Sequence, residues 1–276
     1  MKNNVFRLAF FLSAFAAVCF FPTAFAEEFH CEVLSLAGSA SATDADGKVR
    51  LLQEGDLVAK GEIVTTEADS VLDLSFDKDW KNVTRLEAKS KLKIASVYPG
   101  KLELAAGGVF ARLKALPKDS AFQVKTPTAV ATVRGTEYRT TFIGGRTEVS
   151  NVSPSKVFVY GVKADGSADT AQEVVLERSQ KTQVPEAGKA PEPSQELPAE
   201  EAEATEELKT LIEANVQKVQ EEGRTSAIQS VTEMEAQGAA EKEALKKQAA
   251  AQQLDPNDSD ESRVVDLRRR PFKKVD

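Results

Sequence analysis

Histidine, cysteine and paired carboxylates are where chemistry would begin, and this chain offers few that could act together. His30 is its one histidine, followed directly by Cys31 and Glu32. A Ser-His-Asp or Cys-His unit needs the imidazole held rigidly against its nucleophile. His30 lies beside the expected mature terminus, where the chain should fray. Three adjacent residues rarely converge on one ion and no second cluster follows, so no metal site is expected. The stretch Thr43 to Val49 carries Asp44, Asp46 and Gly47 in the manner of a calcium loop. The glutamate due at the twelfth position falls on Gly55, with Glu54 one residue early, so a hairpin turn is expected instead. Carboxylates are abundant, but no rule pairs two of them across a cleft as a glycosidase requires. Gly107-Gly108 and Gly144-Gly145 lack a P-loop lysine and a following helix, and are expected to be turns. Neither catalytic residues nor a cofactor are expected, and the chain is not expected to be an enzyme.

One passage stands apart: residues 124–142, VKTPTAVATVRGTEYRTTF. Pro127 has no N–H and pushes Thr126 to extended geometry, which marks a strand edge or turn. Ala129, Ala131 and Val133 then point one way, Val130 and Thr132 the other. Gly135 permits a bulge or a positive φ, and Tyr138 resumes the strand. Arg134 therefore sits where a strand bends. Its guanidinium is expected to bridge carbonyls of a neighbouring turn or the carboxylate of Glu137; the alternative is an exposed arginine that grips an anionic ligand. Thr126, Pro127, Arg134, Gly135 and Thr136 form the candidate binding set.

These residues need a scaffold, and the chain divides into segments of different character. Lys2 and Arg7 precede an apolar run, Leu8 to Phe21, and Ala24-Phe25-Ala26 has the small-x-small form of a cleavage site. That is the anatomy of a secretory signal peptide over 1–26, cut after Ala26. The apolar run is short for a bilayer span, and the mature chain is expected in the periplasm or secreted. Without residues 1–26 the chain keeps 34 basic and 43 acidic residues, a net of −9. Such acidity argues against a nucleic-acid surface. Cys31 becomes the one cysteine, expected buried or unpaired near a mobile terminus, so no internal disulfide can form.

Residues 27–184 hold 12 of the 15 glycines, Trp80 and all three tyrosines, with 21 basic against 22 acidic residues. Alternation of period two recurs at Leu72/Leu74/Phe76, Leu92/Ile94, Leu102/Leu104, Val109/Ala111/Leu113, Phe122/Val124 and Val157/Val159. In the first of these, Asp73 and Ser75 fall on the opposite, polar face. Turn signals separate the runs at Asp46-Gly47, Glu54-Gly55-Asp56, Lys60-Gly61, Pro99-Gly100, Gly107-Gly108, Gly144-Gly145 and Asp165-Gly166. The pattern predicts an all-β domain: a sandwich, a barrel or a β-helix-like coil.

Residues 185–197 are rich in proline and glutamate and are expected to be an extended linker open to proteases. A helix is expected over 198–253, with Pro198 at its start and Glu200 and Glu201 near its positive end. Leu208, Leu211, Ile212, Val216 and Val219 make a thin apolar stripe, which Gly223 weakens before Ile228, Val231 and Met234 continue it. A partner helix, a coiled-coil strand and a solvated helix all fit, the last being the expected one. Residues 254–276 are expected to be a disordered charged tail, basic around Phe272.

The passage VKTPTAVATVRGTEY resembles the FecR family in its Thr-Pro, its alternating small residues and its Arg-Gly-Thr followed by an aromatic. The segments LLQEGDLVAKGEIVTTEADSVLDLSF and LELAAGGVFARL resemble the family's preceding stretches, in the same order. The resemblance implies an all-β extracytoplasmic domain. The family's best-known members are membrane-spanning regulators that hold a sigma factor inside the cell and read a TonB-dependent receptor outside. Here only about seven residues precede the apolar run, so a sigma-binding segment is not expected. The expectation is a secreted or periplasmic FecR-like binding or scaffold module for envelope proteins or cell-wall polymer. The alternative is a membrane-anchored signalling component related to FecR-type sigma regulators.

Overall fold

A computed structural model describes residues 30–118 and 120–229, together with 233, 236, 240 and 243. The expected signal peptide, its cleavage point and the tail over 254–276 lie outside the described residues, as do Val231 and Met234.

The domain is two large sheets packed face to face and joined through one shared strand. The N-terminal strands are β1 (His30–Ala37), β2 (Ala40–Thr43), β3 (Val49–Leu51), β4 (Leu57–Ala59), β5 (Ile63–Thr66), β6 (Val71–Ser75), β7 (Asn82–Leu86) and β8 (Lys91–Ser96). The shared strand is β9 (Lys101–Leu113). After it come β10 (Phe122–Lys125), β11 (Ala129–Val133), β12 (Glu137–Ile143), β13 (Arg146–Asn151), β14 (Val157–Val162), β15 (Ala168–Leu176), β16 (Gln180–Val184) and β17 (Gln195–Glu196). Sheet A runs β4-β1-β6-β7-β9-β12-β13-β16-β17. Sheet B runs β3-β2-β5-β8-β9-β10-β11-β14-β15. From β10 onward the chain alternates sheets hairpin by hairpin, and every pairing is antiparallel except that of β9 with β10.

The alternating apolar residues meet between the sheets. Leu72, Leu74, Leu86, Leu92, Ile94, Leu102, Leu104, Val109, Phe122, Val124, Val157 and Val159 belong to one buried cluster. Cys31 lies in the same core and bonds Val58 O at 3.4 Å; burial pushes its thiol up to about 12, with the charge of Glu62 adding to the rise. It is therefore an inert thiol at neutral pH. His30 does not fray: it is the first residue of β1 and pairs with Ala59. The segment Thr43 to Val49 is a hairpin turn, in which Asp44 Oδ1 accepts the N–H groups of Asp46 and Lys48.

Gly107-Gly108 is not a turn. It lies inside the 13-residue β9, where the strand passes from sheet B to sheet A. Gly107 has φ +88°, and a Cβ there would collide with Ser90, whose Cα would be 2.5 Å away. Ser90 Oγ accepts the N–H of Gly108 at 2.9 Å. The pair is glycine because the backbone must bend and approach Ser90 at the same point.

The linker and helix also depart from expectation. Residues 185–198 run extended along the domain: Leu197 is buried, β17 pairs with β16, and Gly188 N–H bonds Val162 O at 2.8 Å. A Cβ on Gly161 would collide with Lys189 O, so the crossing depends on that glycine. The helix α1 spans Ala199–Glu221, with Pro198 as N-cap and Glu200 and Glu201 in its first turn. It stops because Gly223 takes φ +65°, while Gly223 N–H bonds Gln220 O and Arg224 N–H bonds Val219 O, the paired contacts of a Schellman motif. Helical residues resume at Ala227.

Candidate functional site: two unlike sheet faces

The candidate binding set divides between the interior and the surface. Thr126 is buried, and its Oγ1 accepts the N–H groups of Thr128 and Ala129 and lies 2.6 Å from Thr147 Oγ1. With exposed Pro127 it closes the β10–β11 turn. Thr136 is buried and donates to Ser153 Oγ at 2.7 Å. Gly135 has φ +115° and carries the chain from sheet B across to sheet A. These three threonine and glycine positions build the fold. Arg134 differs: it is exposed, with no hydrogen bond or ion pair among the described residues. Glu137, its expected partner, instead pairs with Lys209 of α1 at 3.1 Å.

The outer face of sheet A is closed by α1. Leu34, Trp80, Val83, Phe110, Val152 and Leu197 form a second apolar cluster with Ile212, Val216 and Val219. The thin stripe is therefore a docking stripe, and α1 is not a solvated helix. Polar residues order its path strand by strand. Glu201 bonds Lys181 on β16 at 2.7 Å, Lys209 meets Glu137 on β12, and Glu213 lies 3.6 Å from Arg112 on β9. Asn215 Nδ2 donates to Asp73 on β6 at 2.7 Å, and beyond the helix Arg224 Nη2 donates to Leu34 O on β1. A 23-residue helix is about 34 Å long and the six strand spacings from β16 to β1 come to about 29 Å, so helix length and sheet width agree.

This seam contains ionised groups removed from water. Arg85 and Asp73 form a bidentate pair at 2.7 Å with side chains only 5% and 1% exposed. Asp73, polar by alternation, is thus interior beneath Asn215 of the helix, and Ser75 is equally buried, its Oγ donating to Asp77 O at 2.8 Å. The Lys114 hydrogen bond holds the Glu213 carboxyl below its ordinary range, helped by the charges of Lys114, Arg112 and Lys209. Burial pulls Lys209 and Lys181 down, but their glutamate partners outweigh it and both ammonium groups sit above their usual value. The Glu87 hydrogen bond likewise raises the Arg139 guanidinium. Not every group is satisfied: Glu32 Oε1, Arg112 Nη1, Trp80 Nε1 and Arg224 Nε are buried without a hydrogen-bond partner, and Arg112 Nε has only the longer ion-pair contact to Glu213.

The outer face of sheet B is open. One row crosses all nine strands in register: Val49, Thr43, Ile63, Lys93, Glu103, Lys125, Val130, Tyr160 and Glu173. A parallel row continues Lys101, Gln123, Thr132, Phe158 and Val175. All of these side chains are half or fully exposed apart from Val130. Lys91, Lys93, Lys101 and Lys125 face Glu103 and Glu173, so this face is locally basic on an acidic protein. Tyr160 donates to Glu173, and burial together with that bond pushes its hydroxyl up to about 12. No sequence signal marked these lysines, because each one alone is an ordinary solvated strand residue.

The domain thus has one outer face covered by its own helix and the other exposed. Residues 62–154 match the family model described as FecR protein, so the chain carries a FecR domain, from β5 to just beyond β13. Two crystal structures of an anti-sigma factor candidate from Parabacteroides distasonis, at 1.65 and 2.50 Å, are similar to this chain at 14% and 15% identity. Their TM-scores are 0.41 and 0.40; each likeness covers 51% of this chain and 63% or 62% of the other. No curated protein matches. Among the described residues, no helix is long and apolar enough to cross a membrane.

Proposed function

We propose that this chain is an extracytoplasmic, non-enzymatic binding module of FecR type that engages an envelope protein or cell-wall polymer through the outer face of sheet B. The observation that carries this reading is the contrast between the two faces. Sheet A spends its outer face on α1, whereas sheet B presents an exposed basic and aromatic surface nine strands wide. Lysines at this density gain little for stability on an open strand face, but they give an acidic partner a complementary surface. The exposed Arg134 stands at the turn that leaves this sheet and adds a further cation.

Crosslinking in intact cells tests the proposal, using the full chain and a variant with Lys91, Lys93 and Lys101 all replaced by glutamate. The expected result is a discrete crosslinked species with the parent chain, lost in the variant while its melting temperature is unchanged. The same species recovered by the variant would exclude this face. Mass spectrometry of the mature protein is expected to find Glu27 at its start. A retained apolar run would instead make it a membrane-anchored signalling component.

A further inference from the structure

Where β9 and β10 begin, one end of sheet B's outer face holds a cleft of about 300 Å³, lined among others by Tyr98, Pro99, Lys101, Lys118 and Gln123. That volume lies at the lower end of the range for small-molecule sites. The turn before β9 shapes one side. Ser96 Oγ donates to Tyr98 O at 3.2 Å, and Gly100 O accepts the N–H of Gln123 at 2.9 Å. A Cβ on Gly100 would lie 2.3 Å from the ring of Phe122, so only glycine lets this turn press onto β10. The loop before β10 shapes the other side, where Ser120 donates both its N–H and its hydroxyl to Pro117 O.

The register of the sheet brings Arg134 to the same end. Phe122 pairs with Val133, so Ala121, which also lines the cleft, and Arg134 each lie one residue beyond that pair on adjacent strands. Val133 is buried between the sheets, and the exposed Arg134 stands on the outer side with Lys101 and Gln123. Lys101, Lys118 and Arg134 are all exposed, and none makes a side-chain hydrogen bond or ion pair among the described residues. None of the described residues lining the cleft is acidic. Two carboxylates of the adjoining rows are committed elsewhere, Glu103 to Lys93 at 3.5 Å and Glu177 to Lys156 at 2.8 Å. Three unpaired cations around one cleft complement an anionic ligand.

Tyr98 adds a second requirement. It is 51% exposed, and a half-exposed aromatic ring offers an apolar face next to polar groups. A sugar matches both sides of that arrangement. Its C–H face suits the ring, and its hydroxyls suit the Gln123 amide, which both donates and accepts. An extended peptide finds less here, because β9, β10 and β11 are interior strands with partners on both sides and no open edge to join. We infer that this cleft binds a sugar unit carrying a carboxylate or phosphate, as part of an acidic glycan. The inference rests on the outer face of sheet B being the binding side, and it narrows the partner to that polymer class.

Calorimetric titration of the full chain tests it, with trigalacturonate and glucose 6-phosphate as acidic sugars. Maltotriose serves as the neutral sugar and hexaglutamate as the acidic peptide. Saturable binding of at least one acidic sugar is expected, at least tenfold weaker in Tyr98→Ala and in Lys118→Ala; the tighter of the two identifies the acidic group. Maltotriose and hexaglutamate are each expected to bind at least tenfold more weakly. No saturable heat with either acidic sugar, equal affinity for maltotriose, or affinity unaltered in Tyr98→Ala would overturn the site. Equally tight hexaglutamate would make it a peptide surface instead. Crosslinking in intact cells separates this inference from the reading it rests on. A species lost when Lys91, Lys93 and Lys101 are replaced, but kept in the Tyr98→Ala, Lys118→Ala double variant, would retain the face and overturn the cleft. A species kept in both would overturn the reading of the face.

Discussion

The outer faces of sheets A and B are made from similar strands and meet opposite fates. Both carry charged residues at alternate positions, Asp73, Arg85 and Arg112 on one, Lys93, Glu103 and Lys125 on the other. On sheet A the charges are interior, because a helix whose length suits the sheet lies across them. On sheet B they stay in water. The difference teaches that the period-two pattern identifies the core side of each strand but not whether the polar side is surface. A polar residue under the helix must be paired or it costs several kcal/mol, whereas its counterpart on sheet B costs nothing by standing alone.

The largest expected break in this comparison is Asp73→Ala. It leaves the Arg85 guanidinium buried without its bidentate partner and Asn215 without its acceptor. A loss of about 3–5 kcal/mol is expected in urea unfolding; a loss no larger than at an exposed site would mean the seam is wet. Next comes Ile212→Ala, in the middle of the docking stripe, at about 2–4 kcal/mol. It should also open residues 185–198 to limited proteolysis, a stretch expected to resist cleavage in the parent chain because it packs on the domain.

A smaller effect follows from pH. The folded-state pKa of Glu213 lies below its ordinary value of 4.5, so its contribution to helix docking is complete above that value. The contribution is lost as pH falls through the lowered value. Protection factors of α1 amides, taken relative to the intrinsic exchange rate at each pH, are expected to fall on acidification before those of the sheet core do; simultaneous loosening would remove Glu213 from the latch. The smallest effects belong to the open side. Lys93→Ala and Arg134→Ala are each expected to change stability by no more than about 0.5 kcal/mol in thermal melts. A large loss at Arg134 would restore the structural role that its unpaired, exposed guanidinium now denies it.

Much of the core was legible in advance. Leu72, Leu92, Val109, Val124 and Val157 sit between the sheets because alternation of apolar residues is a local signal. The turns at Gly47, Gly55, Gly61, Gly100 and Gly166 were legible for the same reason. Gly107-Gly108 misled, because a glycine pair that relieves a close approach inside a strand has the same composition as one that makes a hairpin. The stripe from Leu208 to Val219 was visible, but its thinness suggested a solvated helix. What makes it sufficient is the row of ion pairs and hydrogen bonds beside it, and those partners lie far away in sequence: Glu137 for Lys209, Asp73 for Asn215, Arg112 for Glu213. Likewise the five residues of the candidate set looked alike, and only their placement separates exposed Arg134 from buried Thr126 and Thr136.

The sequence by itself determined the β character of residues 30–184, the inward face of nearly every strand, and the start of the helix at Pro198. The stop at Gly223, by contrast, fell inside the 198–253 helix that the sequence led one to expect. The determined features rest on interactions between neighbours in the chain, such as alternation or a fixed φ. The tertiary structure alone decided that β9 belongs to two sheets and that α1 closes sheet A. It also decided that Lys91, Lys93, Lys101 and Lys125 share one open face, and that Arg134 stands at the end of that face beside the cleft of Tyr98. Those outcomes depend on pairing between residues tens to more than a hundred positions apart, and no local preference encodes such a meeting.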